Sequence, residues 1–327
     1  IGASLKITAP DNTIQYQEIM SARGYQSSMQ SIAHFGIGFN TTIDNIEVNW
    51  SDGKYQLLKN VKANKTITID YKNSQIKKSI IPDVEYLFED ISNTSGITFK
   101  HKENDFDDFQ RESLLPHRMS QFGPALSVTD VNNDQLEDFY IGGAMGQSGE
   151  LYIQMTDGTF QKKKTFKELF NIEEVDALFF DADMDGDQDL IVVSGGNENE
   201  EGSLLQQDYF YLNDGQGNFS LHTEIFADTK ISGGKIQLLD IEGDGDNDIL
   251  ITGRQIPGKY GYPASTKLYE NILETGKLEF KDITKTKAPE FESIGMITSA
   301  ICKDLNNDGR TDIVLAGEWT EPLIFFN

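Results

Sequence analysis

The chain of 327 residues has room for two domains or one large repeat domain, and 38% hydrophobic with 25% charged residues suits a folded protein with a real core. Its 28 basic and 53 acidic residues leave a formal net charge of −25, which disfavours nucleic-acid phosphates as partners and points to solubility or to collected cations. One cysteine, Cys302, excludes an internal disulfide and sits in an apolar run as a small buried hydrophobe; no run of about 18 apolar residues offers a membrane span.

The first residue is Ile1, not Met, and the chain enters a strand-like run at once, so a missing native N-terminus is expected, with any signal peptide upstream. Residues 1–72 show short alternating runs that predict strands: Ser4-Leu-Lys-Ile-Thr8, Asn45-Ile-Glu-Val-Asn-Trp50 and Thr66-Ile-Thr-Ile-Asp-Tyr71. The turn Ser51-Asp52-Gly53-Lys54 predicts a hairpin. The run Lys72-Asn-Ser-Gln-Ile-Lys-Lys-Ser79 is polar and without period, and residues 73–85 are expected to be a linker.

From about residue 86 the chain repeats itself. Each unit has an apolar strand, an acidic loop, a second apolar strand and an aromatic-rich third strand. The first strands are Ala125-Leu-Ser-Val, Ala177-Leu-Phe-Phe, Lys235-Ile-Gln-Leu-Leu and Ser299-Ala-Ile-Cys. A turn and a Phe strand close the first three units, at Phe160, Phe219 and Phe280. The loops start at Asp130, Asp181, Asp240 and Asp304, so 51, 59 and 64 residues apart. Four short strands per unit at such a period predict the blades of a β-propeller, 86–327, in which neighbouring units cover each other's sheet faces. The fold class expected is all-β, a small β-rich domain followed by four visible blades.

The loops carry the chemistry. Counting nine positions, they place Asp130, Asn132, Asp134, Leu136 and Asp138; Asp181, Asp183, Asp185, Asp187 and Asp189; Asp240, Glu242, Asp244, Asp246 and Asp248; and Asp304, Asn306, Asp308, Arg310 and Asp312 at positions 1, 3, 5, 7 and 9. Positions 1, 3, 5 and 9 always offer a side-chain oxygen, whereas position 7 varies freely, as expected of a backbone-carbonyl ligand. Position 6 is Gly in three loops and Gln135 in the first, which suits a turn with positive φ. Several hard oxygen ligands per loop select Ca²⁺, about four ions in all; the lack of His and Cys argues against Zn²⁺. An EF-hand would need Glu at position 12, where Ile141, Val192, Ile251 and Leu315 stand inside β-type runs. A lone loop of this kind is easily a solvated turn; four at equivalent places are not. The second loop, with five Asp, is expected to bind most tightly.

These loops, with Phe122-Gly-Pro-Ala125 before the first and Tyr140-Ile-Gly-Gly143 after it, resemble the FG-GAP/VCBS repeats of integrin-like propellers. Residues 1–72 look like the ASPIC/UnbV domain of the cartilage acidic protein family. That likeness is carried by Ile1-Gly-Ala, Arg23-Gly-Tyr-Gln-Ser-Ser, His34-Phe-Gly-Ile-Gly38 and Ile46-Glu-Val-Asn-Trp-Ser-Asp-Gly53. The domain order is similar to that of surface or secreted proteins of Bacteroidota, to which Gly253-Arg-Gln-Ile-Pro-Gly-Lys-Tyr260 and Gly317-Glu-Trp319 also bear a likeness. The resemblance implies a seven-bladed propeller, so further blades of the same polypeptide are expected. Phe88-Glu-Asp-Ile-Ser matches Phe280-Lys-Asp-Ile-Thr284 and is the other candidate for closing the ring.

Outside the loops, His34 reads as a turn residue, and His101, His117 and His222 have no motif spacing. Arg23, Tyr25 and Trp50 read as core or turn residues before they read as a sugar-facing patch. No GxSxG elbow, HExxH helix or phosphate-binding loop is present, and no catalytic residue is assigned. The function expected is a calcium-binding module, extracellular, at the cell surface or associated with an outer membrane, that binds a protein or glycan partner and is not an enzyme. The alternative is a polysaccharide-active enzyme or an accessory subunit of an outer-membrane glycan-uptake complex.

Overall fold

The computed structural model describes residues 2–22, 24–76, 86–274 and 277–327. Ile1, Arg23 and the stretch 77–85, most of the expected linker, lie outside the described residues, as does the turn residue Gly276. The chain divides into two compact units, Ile1–Glu89 and Asp90–Asn327.

In the first unit, five strands form one antiparallel sheet in the order β2-β1-β3-β4-β5: β1 (Ser4–Thr8), β2 (Ile14–Glu18), β3 (Thr42–Asn49), β4 (Lys54–Lys62) and β5 (Gln75–Ile76). The alternation of Leu5, Ile7, Ile46 and Val48 puts one face onto a core that Phe35, Ile37 and Leu58 complete. The β3–β4 hairpin forms as its turn chemistry predicts: Gly53 has φ +85° and its amide donates to the Trp50 carbonyl at 2.9 Å. Residues 66–71 form no strand. Ile67 and Ile69 pack on the core, but Asp70 caps a short 3₁₀ turn at Tyr71–Asn73 by accepting from the Lys72 amide, and this diverts the backbone from the ladder. The sheet also continues past residue 72, since Gln75 and Ile76 pair with Tyr55 and Lys54.

The second unit is a succession of four antiparallel meanders. The first is β6 (Leu126–Thr129), β7 (Asp138–Ile141), β8 (Glu150–Gln154) and β9 (Phe160–Thr165). The second is β10 (Glu174–Phe180), β11 (Asp189–Ser194), β12 (Tyr209–Leu212) and β13 (Ser220–Leu221). The third is β14 (Ser232–Leu239), β15 (Asp248–Gln255), β16 (Lys267–Glu274) and β17 (Lys277–Asp282), and the fourth is β18 (Met296–Lys303), β19 (Asp312–Glu318) and β20 (Leu323–Phe325). The first strands of successive sheets adjoin, β6 to β10 to β14 to β18.

Three cores fill the spaces between sheets. Tyr140, Leu151, Phe179, Val192 and Tyr211 join the first two; Phe180, Ile191, Ile249 and Phe280 join the second and third; Leu250, Leu268, Ile297 and Leu315 join the last two. Every residue of β11 and of β15 is buried, which accounts for their unbroken apolar runs. On the end sheets Leu126, Val128, Ile301 and Ile324 are exposed. Cys302 packs into the last core, and burial pushes its thiol up to about 12. Phe88 is exposed, and among the described residues its segment forms no strand.

Candidate metal centres in the acidic loops

The four loops share one backbone design. Each begins directly after the first strand of its sheet and ends on the Asp that opens the second: Thr129 faces Asp138, Phe180 faces Asp189, Leu239 faces Asp248 and Lys303 faces Asp312. Position 4 is left-handed in all four, at Asn133, Met184, Gly243 and Asn307 with φ of 59°, 59°, 78° and 61°. Position 6 is left-handed too, at Gln135, Gly186, Gly245 and Gly309 with φ of 70°, 95°, 93° and 87°. Gln135 therefore adopts the turn without being Gly, and the first loop keeps the design of the others.

Position 1 organises the turn. One oxygen of Asp130, Asp181, Asp240 and Asp304 accepts the amide of position 5 at 3.1–3.3 Å, and the other accepts the amide of position 6 at 2.7–3.2 Å. Position 5 accepts the amide of position 7 in every loop, at 2.9–3.2 Å.

Position 9 does more than the sequence reading assigned to it. Asp138, Asp189, Asp248 and Asp312 are buried, and each uses both oxygens. Oδ2 accepts the amide of loop position 2 (Val131, Ala182, Ile241, Leu305) at 2.7–3.1 Å. Oδ1 accepts an amide from the third strand or from just beyond it (Gln154, Asn213, Asn271, Asn327) at 2.8–3.0 Å. Three of those residues also reach the preceding sheet: the Nδ2 groups of Asn213, Asn271 and Asn327 donate to the carbonyls of Val131, Ala182 and Ile241 at 2.8–2.9 Å. Each position-9 carboxylate thus ties loop to strand, and in the last three sheets an Asn ties the blade to the one before it.

Two loops gather three carboxylates. One oxygen each of Asp181, Asp183 and Asp189, and likewise of Asp240, Glu242 and Asp248, lie within 4.8 Å of one another, a spacing able to hold a metal ion. These are positions 1, 3 and 9. The position-5 residues Asp185 and Asp244 are exposed and stand outside the sets. At position 7, the Asp187 carboxylate accepts from Asn133 of the preceding loop at 3.1 Å, while Asp246 is buried with Oδ1 lacking a partner among the described residues. Asp183 Oδ1 is a second buried oxygen without a partner among them. In the first and fourth loops position 3 is Asn; Asn132 and Asn306 donate to Asp134 and Asp308 at 3.0 Å, and Arg310 pairs with Asp308 at 3.0 Å.

The electrostatics follow. Burial, with Asp183 and Asp185 nearby, pushes Asp189 up to about 7. Burial and the Asp248 carboxylate push Glu242 to about 7; burial with Asp244 and Glu242 pushes Asp246 to about 6. Asp138, Asp183 and Asp248 are raised chiefly by burial. These groups sit where a positive charge would be favourable. The orphaned oxygens and the all-oxygen donor set fit a hard cation.

The opposite ends of the strands carry a second concentration of charge with no local motif. Glu173 is buried; its Oε2 accepts from the Met145 amide at 3.1 Å and its Oε1 has no partner among the described residues. His101 Nε2 meets Glu103 Oε1 at 2.8 Å, and Glu198 Oε2 accepts from the Asn197 amide at 2.8 Å. Burial, then Glu198 and Glu103, push Glu173 up to about 9; burial, then Asp108 and Glu103, push Glu198 to about 7. The residues come from segments far apart in the chain, so no sequence spacing betrays them. His34 is exposed, and its amide donates to Gln17.

Comparison with known proteins matches residues 1–76 to the ASPIC and UnbV family and residues 181–251 to the FG-GAP-like repeat, a stretch that encloses both carboxylate sets. No curated protein matches the chain. Among solved structures, one similar chain is a lectin from Agrocybe aegerita, described for specific recognition of non-reducing terminal N-acetylglucosamine. It is 20% identical with a TM-score of 0.39, over 61% of this chain and 48% of the lectin. The chain therefore spans about half the length of that structure.

Proposed function

We propose that this chain, in which an ASPIC and UnbV domain precedes FG-GAP-like repeats, is a calcium-stabilised binding and scaffold module working outside the cell or at its surface. The observation that carries the reading is the equivalence of the four loops, two of which bring three carboxylates within 4.8 Å at positions 1, 3 and 9. Asp181, Asp183 and Asp189 would hold one ion, and Asp240, Glu242 and Asp248 another. Several protein oxygens per site suit Ca²⁺ better than Mg²⁺, which keeps its water, or Zn²⁺, which favours N and S. A bound ion supplies the counter-charge that these closely set acids lack. The first and fourth loops, with Asn at position 3 and an engaged position 5, bind more weakly in this reading.

The ion's task is structural. Each loop is already closed by its position-1 and position-9 aspartates, and the ion removes the repulsion that this closure creates. The partner, a protein or a glycan, meets the sheets elsewhere. Calcium loading of weak sites is supported by extracellular calcium and not by a cytosol, which is why the module is placed outside. The test is calorimetric titration of the metal-stripped chain with Ca²⁺, followed by glycan and protein binding screens with product analysis. Saturable calcium uptake and binding without turnover support the proposal. No uptake refutes the calcium part, and release of a cleaved glycan would make the polysaccharide-active alternative the better reading.

A further inference from the structure

The loops that join strands at the end away from the acidic loops build a second surface. β15 leaves through Arg254 toward Tyr260 and Tyr262, and β19 ends at Glu318 and turns through Trp319. Between them lie two adjoining hollows of about 290 and 200 Å³, which share Gly261, Tyr262 and Trp319. Each is at or below the small end of ligand sites, about 300–1,000 Å³.

Trp319 is 78% exposed and has φ +57°, a left-handed state that bulky side chains seldom adopt. Little packing accounts for holding an indole there. Its ring stands at 80° to that of Tyr260, with centroids 6.3 Å apart, so two aromatic faces meet nearly at right angles. Tyr262 is also exposed. Glu318 lines the smaller hollow and is held by polar partners. The Tyr260 hydroxyl donates to Glu318 Oε2 at 2.7 Å, Arg254 pairs with Glu318 Oε1 at 2.5 Å, and His117 stands 3.8 Å from the same oxygen. Arg254 is 6% exposed and stacks over the Phe122 ring, and its Nη1 has no partner among the described residues.

We infer that this hollow is a carbohydrate subsite that takes one pyranose residue of a glycan. A sugar ring has an apolar face that rests on an aromatic ring and a rim of hydroxyls that need both donors and acceptors. The exposed indole and phenol rings supply the first, and Glu318 and Thr320 in the lining of the smaller hollow supply the second. A proline-rich peptide would use the rings but leave Glu318 and Thr320 idle. The inference rests on the binding reading above, but it uses residues at the other end of the sheets from the carboxylate sets.

The chain holds two tryptophans, Trp50 and Trp319, so the difference in emission between wild type and Trp319→Gly isolates the indole of the hollow. Glycine suits the left-handed backbone, so this variant is expected to melt no lower than wild type and to load calcium unchanged. Full-length, calcium-loaded protein is titrated with neutral hexoses, N-acetylhexosamines, uronic acids and their oligomers, followed by fluorescence and by calorimetry. One sugar class should change the Trp319 emission saturably, with binding about tenfold weaker in Trp319→Gly and several-fold weaker in Tyr262→Ala. Sugar binding that survives Trp319→Gly overturns the inference, as does quenching by a proline-rich peptide where no sugar acts. Calcium uptake without any sugar response overturns this inference alone, and no calcium uptake with sugar binding intact overturns only the calcium reading.

Discussion

Replacing Asp183 by Asn should change the sign of its effect with the metal. The Asp183 carboxylate lies within 4.8 Å of ligand oxygens of Asp181 and Asp189, and among the described residues its Oδ1 has no hydrogen-bond partner to lose. Two unit charges at that distance repel by about 3.5 kcal/mol at an effective dielectric constant of about 20, and by about 0.9 kcal/mol in bulk water. For a half-buried site the relief from Asp183→Asn is about 1–3 kcal/mol. In a unit of this size that raises the melting temperature by about 3–9 °C in chelator at neutral pH and low salt. With calcium the substitution removes a charged ligand. Wild type gains about 2.7 kcal/mol per site at a hundredfold excess over Kd, and a tenfold weaker site forfeits about 1.4 kcal/mol of that. Scanning calorimetry of the full chain in chelator and in calcium therefore shows a higher melting point for the variant in the first and a smaller calcium-induced rise in the second. Molar salt should shrink the gain in chelator by screening. An equal loss in both conditions would refute the reasoning, because Asp183 would then be an ordinary structural acid.

The neighbouring position should behave differently. Asp189→Ala leaves the Ala182 and Asn213 amides without their acceptor, at about 1–3 kcal/mol each, so urea unfolding should show a loss of about 2–6 kcal/mol with or without calcium. Full rescue by calcium would mean that Asp189 acts only through the ion. Gln135→Gly should raise the urea midpoint, with a gain of about 0.5–1 kcal/mol, because Gln135 is held at φ +70°; an unchanged midpoint would remove the strain argument. Glu173 is raised to about 9 and Glu174 to about 8 by burial, so the folded state holds their protons more tightly than the unfolded state does. Their contribution is complete below the ordinary Glu range and is lost as pH rises toward 9, so the melting temperature should fall between pH 6 and pH 9. Glu173→Gln should flatten that fall, and a pH profile identical to wild type would count against a buried, protonated Glu173.

The fold and the outline of the loops were legible because they are local. Asp at positions 1 and 9, turn residues between them and apolar runs on either side recur four times within about sixty residues of each other. The reading went astray where a local pattern met a competing local bond: Thr66–Tyr71 alternates like a strand, yet Asp70 spends its carboxylate on a 3₁₀ turn. The sequence also offers positions 1, 3, 5 and 9 alike as side-chain ligands. Only the structure separates position 9, buried and doubly bonded, from position 5, exposed and bonded within its own turn. Glycine at position 6 announced its left-handed backbone, whereas Asn133, Met184 and Asn307 at position 4 hid theirs behind ordinary side chains. His101, Glu103, Glu173 and Glu198 were invisible because distant segments bring them to one end of the sheets. The role of Asn213, Asn271 and Asn327 was missed because it is a contact between repeats, and a repeat read alone shows only half of it.

That contact has a consequence for how such a chain can grow. The amide of Asn271 serves the aspartate of its own sheet, and its side chain serves the carbonyl of the sheet before it. Donor and acceptor of the seam are therefore both written into each of the two inner units, like the hook and eye on a single link. Copying an inner unit of DNA copies a complete fastener, so duplication or deletion of an inner blade leaves every remaining joint matched. A change of blade number then asks for no new surface to be invented, while a change inside one fastener is felt by two blades at once.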